Sequence, residues 1–143
     1  MNEAEQKSRL AKAAANRLAC TDTNTKNNAL RKIAEALVAH QDLILAANQK
    51  DTQKAQENGI TQAMLDRLTL TEERILGIAD GVRKVAELPD PIGEVISSWD
   101  RPNGLKIAKK RVPIGVIAII YESRPNVTAD AAALCLKSGN TVV

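Results

Sequence analysis

Residues 115–126 read GVIAIIYESRPN. Gly115 to Ile120 carry no polar side chain, and Tyr121-Glu122-Ser123-Arg124-Pro125-Asn126 then ends the run abruptly. A β-branched stretch without polar alternation predicts a strand covered on both faces, the usual setting of a central parallel strand. Beyond it, Thr128 to Lys137 holds Ala131, Ala132, Leu134, Cys135 and Leu136 and predicts a helix that Gly139 stops. Thr141-Val142-Val143 begins another β-type run. Strand, turn, helix and strand make a parallel βαβ unit. Ligands of open α/β sheets sit beyond the carboxyl ends of the strands, which is where Tyr121–Asn126 falls. The glycine-rich G-x-G-x-x-G turn that marks most dinucleotide sites is missing there.

Upstream, Pro113 separates this strand from a hairpin pattern. Glu94–Trp99 and Leu105–Arg111 flank Arg101-Pro102-Asn103-Gly104, and partial alternation predicts a ribbon with one apolar and one charged face. Lys109-Lys110-Arg111 belongs to its solvated side. Earlier still the pattern is helical. Glu3 to Cys20 is alanine-rich, and Thr21-Asp22-Thr23 offers caps for a helix striped by Leu30, Ile33, Ala34, Leu37 and Val38. A helix from Asp42 is closed by Gly59, and a short one spans Gln62–Leu68. Thr69-Leu70-Thr71-Glu72 has the spacing of a capping box for a helix striped by Ile75, Ile78, Ala79, Val82, Val85 and Ala86. Pro89 and Pro91 end that helix. The expected organisation is a helical part over 1–92, a ribbon over 93–112 and a βαβ unit over 113–143.

The 143 residues are 44% hydrophobic and 26% charged, with a formal net charge of +3. That composition is globular, and the size is about that of one domain. Trp99 and Tyr121 are the only aromatics, so the core must be aliphatic. Unclustered positive charge without stacking aromatics argues against a nucleic-acid partner. The longest apolar run, about Val112 to Tyr121, is too short for a membrane span, so no membrane role is expected. Cys20 and Cys135 show no metal-ligand spacing and read as reduced thiols of a cytoplasmic protein. A two-stranded parallel sheet would leave open edges, so the sequence reads as the amino-terminal piece of a longer enzyme.

RVPIGVIAIIYESRPNVTADAAALCLKSGNTVV (111–143) resembles the start of the nucleotide-binding domain of the aldehyde dehydrogenase superfamily. YESRPNVT (121–128), together with GITQAMLDRLTLTEERI (59–75), is similar to the γ-glutamyl phosphate reductase family within it. The resemblance implies an NADPH-dependent reduction of L-glutamyl 5-phosphate to L-glutamate 5-semialdehyde and phosphate in proline biosynthesis. It also implies a nucleophilic cysteine beyond residue 143, so that neither Cys20 nor Cys135 has that role and these residues alone are inactive. Subunit contact through 93–112, with Trp99 as an anchor, and a homo-oligomer are further expectations from the resemblance.

Asn126 corresponds to the asparagine of the superfamily's Pro-Trp-Asn, although it lies two residues later and follows Pro125 rather than Trp. The resemblance implies that its amide donates to the oxyanion formed at the acyl carbon; the residue type alone suits a helix cap equally. Arg124 offers a guanidinium matched to phosphate or carboxylate, or else an ion pair with Glu122. Ser123 is a substrate-binding candidate that also suits the turn, and Thr128 suits the helix cap. Ile120 and Tyr121 stand where the cofactor is expected to pass. Lys137 suits the helix dipole, and His40 has no partner in sequence. The alternatives are a superfamily member oxidising a plain aldehyde, and a helical interaction or DNA-binding module without catalysis.

Overall fold

A computed structural model describes residues 2–143. Five helices come first: α1 (Glu3–Ala19), α2 (Thr23–Ala39), α3 (Gln41–Glu57), α4 (Gln62–Leu68) and α5 (Glu72–Glu87). An antiparallel ribbon follows, β1 (Val95–Asp100) and β2 (Lys106–Lys110). Then come β3 (Val116–Ile117), α6 (Pro125–Lys137) and β4 (Thr141–Val142), with β3 and β4 parallel. The expected α/β architecture, helices and ribbon leading into a βαβ unit, is the one observed.

The core is built by α2, α5 and α6. Leu30 and Ala34 of α2 meet Ala79, Val82 and Ala86 of α5 and Ala133 of α6, all 0–1% exposed. Alanine at four of these six positions lets the backbones approach closely, which suits a core built almost without aromatics. Burying a Leu or Val side chain contributes about 1.5–3 kcal/mol, and the stripes read from the sequence supply these residues. Helix ends follow local chemistry. Asn2 and Asp22 accept hydrogen bonds from Glu5 N and Thr25 N, at 2.8 and 2.9 Å. Gly59 and Gly139, at φ +73° and +70°, close α3 and α6 by paired bonds, Ile60 N to Ala55 O and Asn140 N to Cys135 O. At Gly139 a Cβ would also stand 2.9 Å from Pro113 Cγ.

The capping box does not form. Thr71, not Thr69, caps α5 by accepting from Arg74 N, while the Thr69 hydroxyl turns back to Leu65 O of α4. With the cap at 71, position N3 is Arg74 and no glutamate can complete the box. Buried Asn48 (α3) fixes this α4–α5 connection: its amide donates to Leu68 O at 2.8 Å and accepts from Leu70 N at 2.7 Å.

The ribbon turns at Pro102-Asn103 with Gly104 at φ +84° and bonds from Gly104 N to Arg101 O and Arg101 N to Leu105 O. Pro102, whose fixed negative φ suits the first central position of an ordinary turn, and Asn103 form the centre. Gly104 in the left-handed region closes a three-residue loop in place of a two-residue Asn-Gly turn, for which Asn103 would need a positive φ. The expected apolar and charged faces do not separate. Trp99 opposes Ile107, but Ser97 opposes Lys109 on the same side, and both strands are solvated. A bulge between Val95 and Ser97 breaks the alternation.

The parallel pairing of β3 is as expected; its double cover is not. The ladder runs from Thr141 N–Gly115 O to Ile119 N–Val143 O, but Val116 and Ile117 are half-buried, Ala118 is exposed and Ile120 is 99% exposed. Helix α1 packs on β3 and β4 and α6 on β4, while β3 bonds to β4 on one edge only. The apolar run encodes more cover than these residues provide. Asn140 locks the unit by accepting from Gly115 N at 2.8 Å and donating to Ser138.

Lys137 is not a solvated partner of the helix dipole. It is 3% exposed, and its Nζ donates to Asn27 Oδ1 at 2.6 Å and Ala86 O at 2.9 Å. Nearby Lys26, 2% exposed, pairs with Asp90 at 2.6 Å. Asp90 also accepts from Thr23 Oγ1 at 2.6 Å and Ile92 N at 3.0 Å. Burial lowers the Lys137 pKa against the opposing pull of Asp90. Burial pushes the Asp90 carboxyl up, but the bonds from Lys26, Thr23 and Ile92 outweigh it and the net shift is downward. These groups tie α2, the end of α5 and α6 together.

Candidate functional site at the start of α6

After the last ladder bond at Ile119 the chain passes exposed Ile120 and Tyr121, turns through Ser123 at φ +50°, and enters α6 at Arg124. A positive φ at a residue other than glycine is uncommon and marks a forced reversal. Pro125 stands at N1, where its missing N–H is no loss and its fixed φ suits the first turn. The helix therefore begins three residues before the expected Thr128. Thr128 lies inside it and exchanges a hydrogen bond with the Tyr121 hydroxyl.

Asn126 is consequently not a cap. The N-cap is Arg124, and no side chain caps this end. Asn126 lies in the first turn, exposed, and its Nδ2 donates to Asp130 Oδ2 one turn on at 3.0 Å. One amide hydrogen is thus held, the other is left to point away, and the positive end of the helix dipole adds to it.

Arg124, Pro125, Asn126 and Asp130 form one wall of a cleft of about 520 Å³. The opposite wall is the α4–α5 connection with the first turns of α5, from Asp66 and Arg67 to Gly77 and Ile78. Arg74 is committed within that wall: it bonds the carbonyls of Asp66 and Thr69 and pairs with the Asp66 carboxylate at 3.1 Å. Arg124 is exposed, and among the described residues it forms no ion pair, with Glu122 or otherwise. Ser123 is half-buried in the turn just before Arg124, with Ile120 and Tyr121 at the strand end before it, and none of the three lines the cleft. The structure thus brings Arg124 and Asn126 to one cavity. It also adds the α4–α5 wall, which residue patterns did not single out as part of a site.

Cys20 is exposed at the end of α1 and Cys135 is buried in α6, where burial pushes its thiol pKa up. Neither lines the cleft. His40 is exposed at the α2–α3 junction, its ring nitrogen bonded to Ala36 O. Lys109 and Lys110 are solvated, and Arg111 pairs with Glu94 at 2.6 Å. Among the described residues no group of three or more His, Cys, Asp or Glu could hold a metal, and no helix is long and apolar enough to cross a membrane.

No family model matches the chain. It is 56% identical over 143 residues to a γ-glutamyl phosphate reductase of Anoxybacillus flavithermus, all of this chain and 35% of that protein. It is 58% identical over 134 residues to one of Clostridium novyi, 94% of this chain and 32% of that protein. The crystal structure of γ-glutamyl phosphate reductase from Thermotoga maritima superposes with a TM-score of 0.96 at 47% identity, covering 99% of this chain and 34% of that one. The corresponding structure from Saccharomyces cerevisiae gives 0.92 at 35% identity, covering 99% and 36%. In sequence and in backbone alike, the chain belongs to the γ-glutamyl phosphate reductase family and spans about a third of the length of the curated relatives it matches.

Proposed function

We propose that these residues are part of an oxidoreductase that converts L-glutamyl 5-phosphate to L-glutamate 5-semialdehyde and phosphate in proline biosynthesis. The observation that carries the reading is the meeting of Arg124 and Asn126 at one cleft, at the uncapped start of α6. A thiolate from outside these residues adds to the acyl carbon, the carbonyl electron pair moves to oxygen, and phosphate leaves when that pair returns. The free N–H of Asn126 donates to the oxygen while it carries charge, with Asp130 holding the amide's direction. Arg124 and the Ser123 hydroxyl hold the phosphate. The raised pKa of buried Cys135 and the distance of Cys20 from the cleft support a nucleophile elsewhere.

The cofactor of this reading is a nicotinamide dinucleotide, specifically NADPH, which when bound would supply a hydride to the thioester carbon. The carbon–sulfur bond then breaks, the thiolate is regenerated and the semialdehyde leaves. Exposed Ile120 and Tyr121 fit such a group, since an apolar side chain and an aromatic ring lie bare at the carboxyl end of a parallel strand. The partner is a small acyl phosphate, and the cytoplasm, where both soluble reactants and free thiols belong, is its compartment. The reading extends to a division of labour among 1–92, 93–112 and 113–143, in which the ribbon joins subunits of a homo-oligomer. Val95, Ile96 and Trp99 are each about half exposed along it. Trp99→Glu is expected to shift the full-length enzyme to a smaller species in light scattering; an unchanged mass removes that role.

The activity is tested in reverse on full-length enzyme carrying this sequence. Oxidation of glutamate 5-semialdehyde with NADP should require inorganic phosphate, and Arg124→Ala should raise the phosphate KM about ten- to hundredfold. Phosphate-independent oxidation would instead mark an ordinary aldehyde dehydrogenase.

A further inference from the structure

The cleft holds more positive charge than the acyl phosphate chemistry at Asn126 uses. Three arginines line it, Arg67, Arg74 and Arg124, against two carboxylates, Asp66 and Asp130. Arg74 and Asp66 neutralise one another at 3.1 Å, and Asp130 accepts from Asn126 at 3.0 Å. Arg67 and Arg124 remain, both exposed and, among the described residues, without an ion-pair partner. They arrive from different elements, Arg67 from the last turn of α4 and Arg124 from the N-cap of α6. The same lining carries apolar side chains as well, Leu70, Ile78 and Pro125.

Two guanidiniums from different elements, unpaired among the described residues and sharing one cleft with apolar side chains, fit a ligand with an anionic group at each end and methylenes between. We propose that Arg67 is a specificity-determining residue that binds the α-carboxylate of the substrate, while Arg124 meets the phosphate at the reacting end. This rests on the reductase reading above and extends it from the reacting carbon to the far end of the substrate. A planar fork in a fixed wall pairs with a carboxylate through two parallel bonds, which a lysine cannot reproduce. Asn48, which grips Leu68 O and Leu70 N, holds the segment just after Arg67 in place.

The test compares two aldehydes in the reverse reaction of the full-length enzyme, with phosphate and NADP. One is 5-oxopentanoate; the other is butanal, the same chain without its carboxylate. Arg67→Gln is expected to lower the ratio of kcat/KM for 5-oxopentanoate over butanal by about ten- to hundredfold. An unmoved ratio overturns the proposal, and so does a rise confined to the phosphate KM, which would put Arg67 at the other end. If Arg67→Gln does not accumulate as folded enzyme, Arg67→Lys reads the same ratio, with a smaller fall expected and an unmoved ratio again negative. A wild-type enzyme that oxidises neither aldehyde nor glutamate 5-semialdehyde in the presence of phosphate removes the reductase reading itself. A wild-type enzyme that needs phosphate but whose ratio ignores Arg67 removes only the carboxylate anchor.

Discussion

Asn126→Ala in full-length enzyme carrying this sequence is expected to lower kcat by about 10²–10³-fold, the range for deleting one oxyanion donor. Binding of the ground-state acyl phosphate should change far less, since the carbonyl oxygen gains its charge only as the thiolate adds. The structure separates this from a loss of folding. Asn126 is not the N-cap of α6, and its side chain is exposed and bonds only Asp130, one turn on and half-buried. Alanine is the better helix former at such a position, so thermal stability should hold or rise slightly. A variant that melts like the wild type and turns over within threefold of it would show that the amide does not meet the reacting oxygen.

The largest effect on stability is expected from Asp90→Asn. Its carboxylate faces Lys26, 2% exposed, at 2.6 Å, and also meets Thr23 and Ile92 N. Removing one partner of a buried pair leaves the other charge uncompensated, typically at about 3–5 kcal/mol. Hydrogen exchange measured by mass spectrometry should accelerate in α2 and α6 together. Adding Lys26→Met should recover part of the loss, because a buried pair is replaced more easily than halved. No recovery in the double variant would mean that the stabilisation lies elsewhere. The pH dependence has a definite sign. Asp90 has a folded pKa below its ordinary 3.8, so its contribution is complete above that value and fades as pH falls through the depressed folded value. Asp90→Asn should lack this acid-side loss in α2 and α6.

Most of the fold could be read from local signals. The stripes at Leu30–Val38 and Ile75–Ala86 and the stops at Gly59 and Gly139 are periodicity and backbone chemistry, which act over a few residues. What escaped were arrangements decided by distant partners. Lys26 and Lys137 look like ordinary solvated helix residues until Asp90 and the carbonyl of Ala86 converge on them. The start of α6 moved because Pro125 supplies a ready first turn, which took Asn126 from a capping position into the helix. The cleft was half legible. Arg124 and Asn126 stood at a strand end, where the topology directs attention, whereas Arg67 sits on a seven-residue helix whose apolar pattern says nothing of a site 57 positions away.

The bracket made by Asn48 bears on how tightly the cleft can hold anything. Loops that settle only when a ligand arrives surrender conformational entropy at that moment, and the observed affinity is weaker for it. Here both backbone partners of the Asn48 amide flank Thr69, so the wall behind Arg67 is ordered before any encounter. Affinity at this wall should therefore depend on the guanidinium itself rather than on a folding step. Loosening the bracket would add an ordering cost for ligands that engage this wall, and carboxylate-bearing ones would lose most.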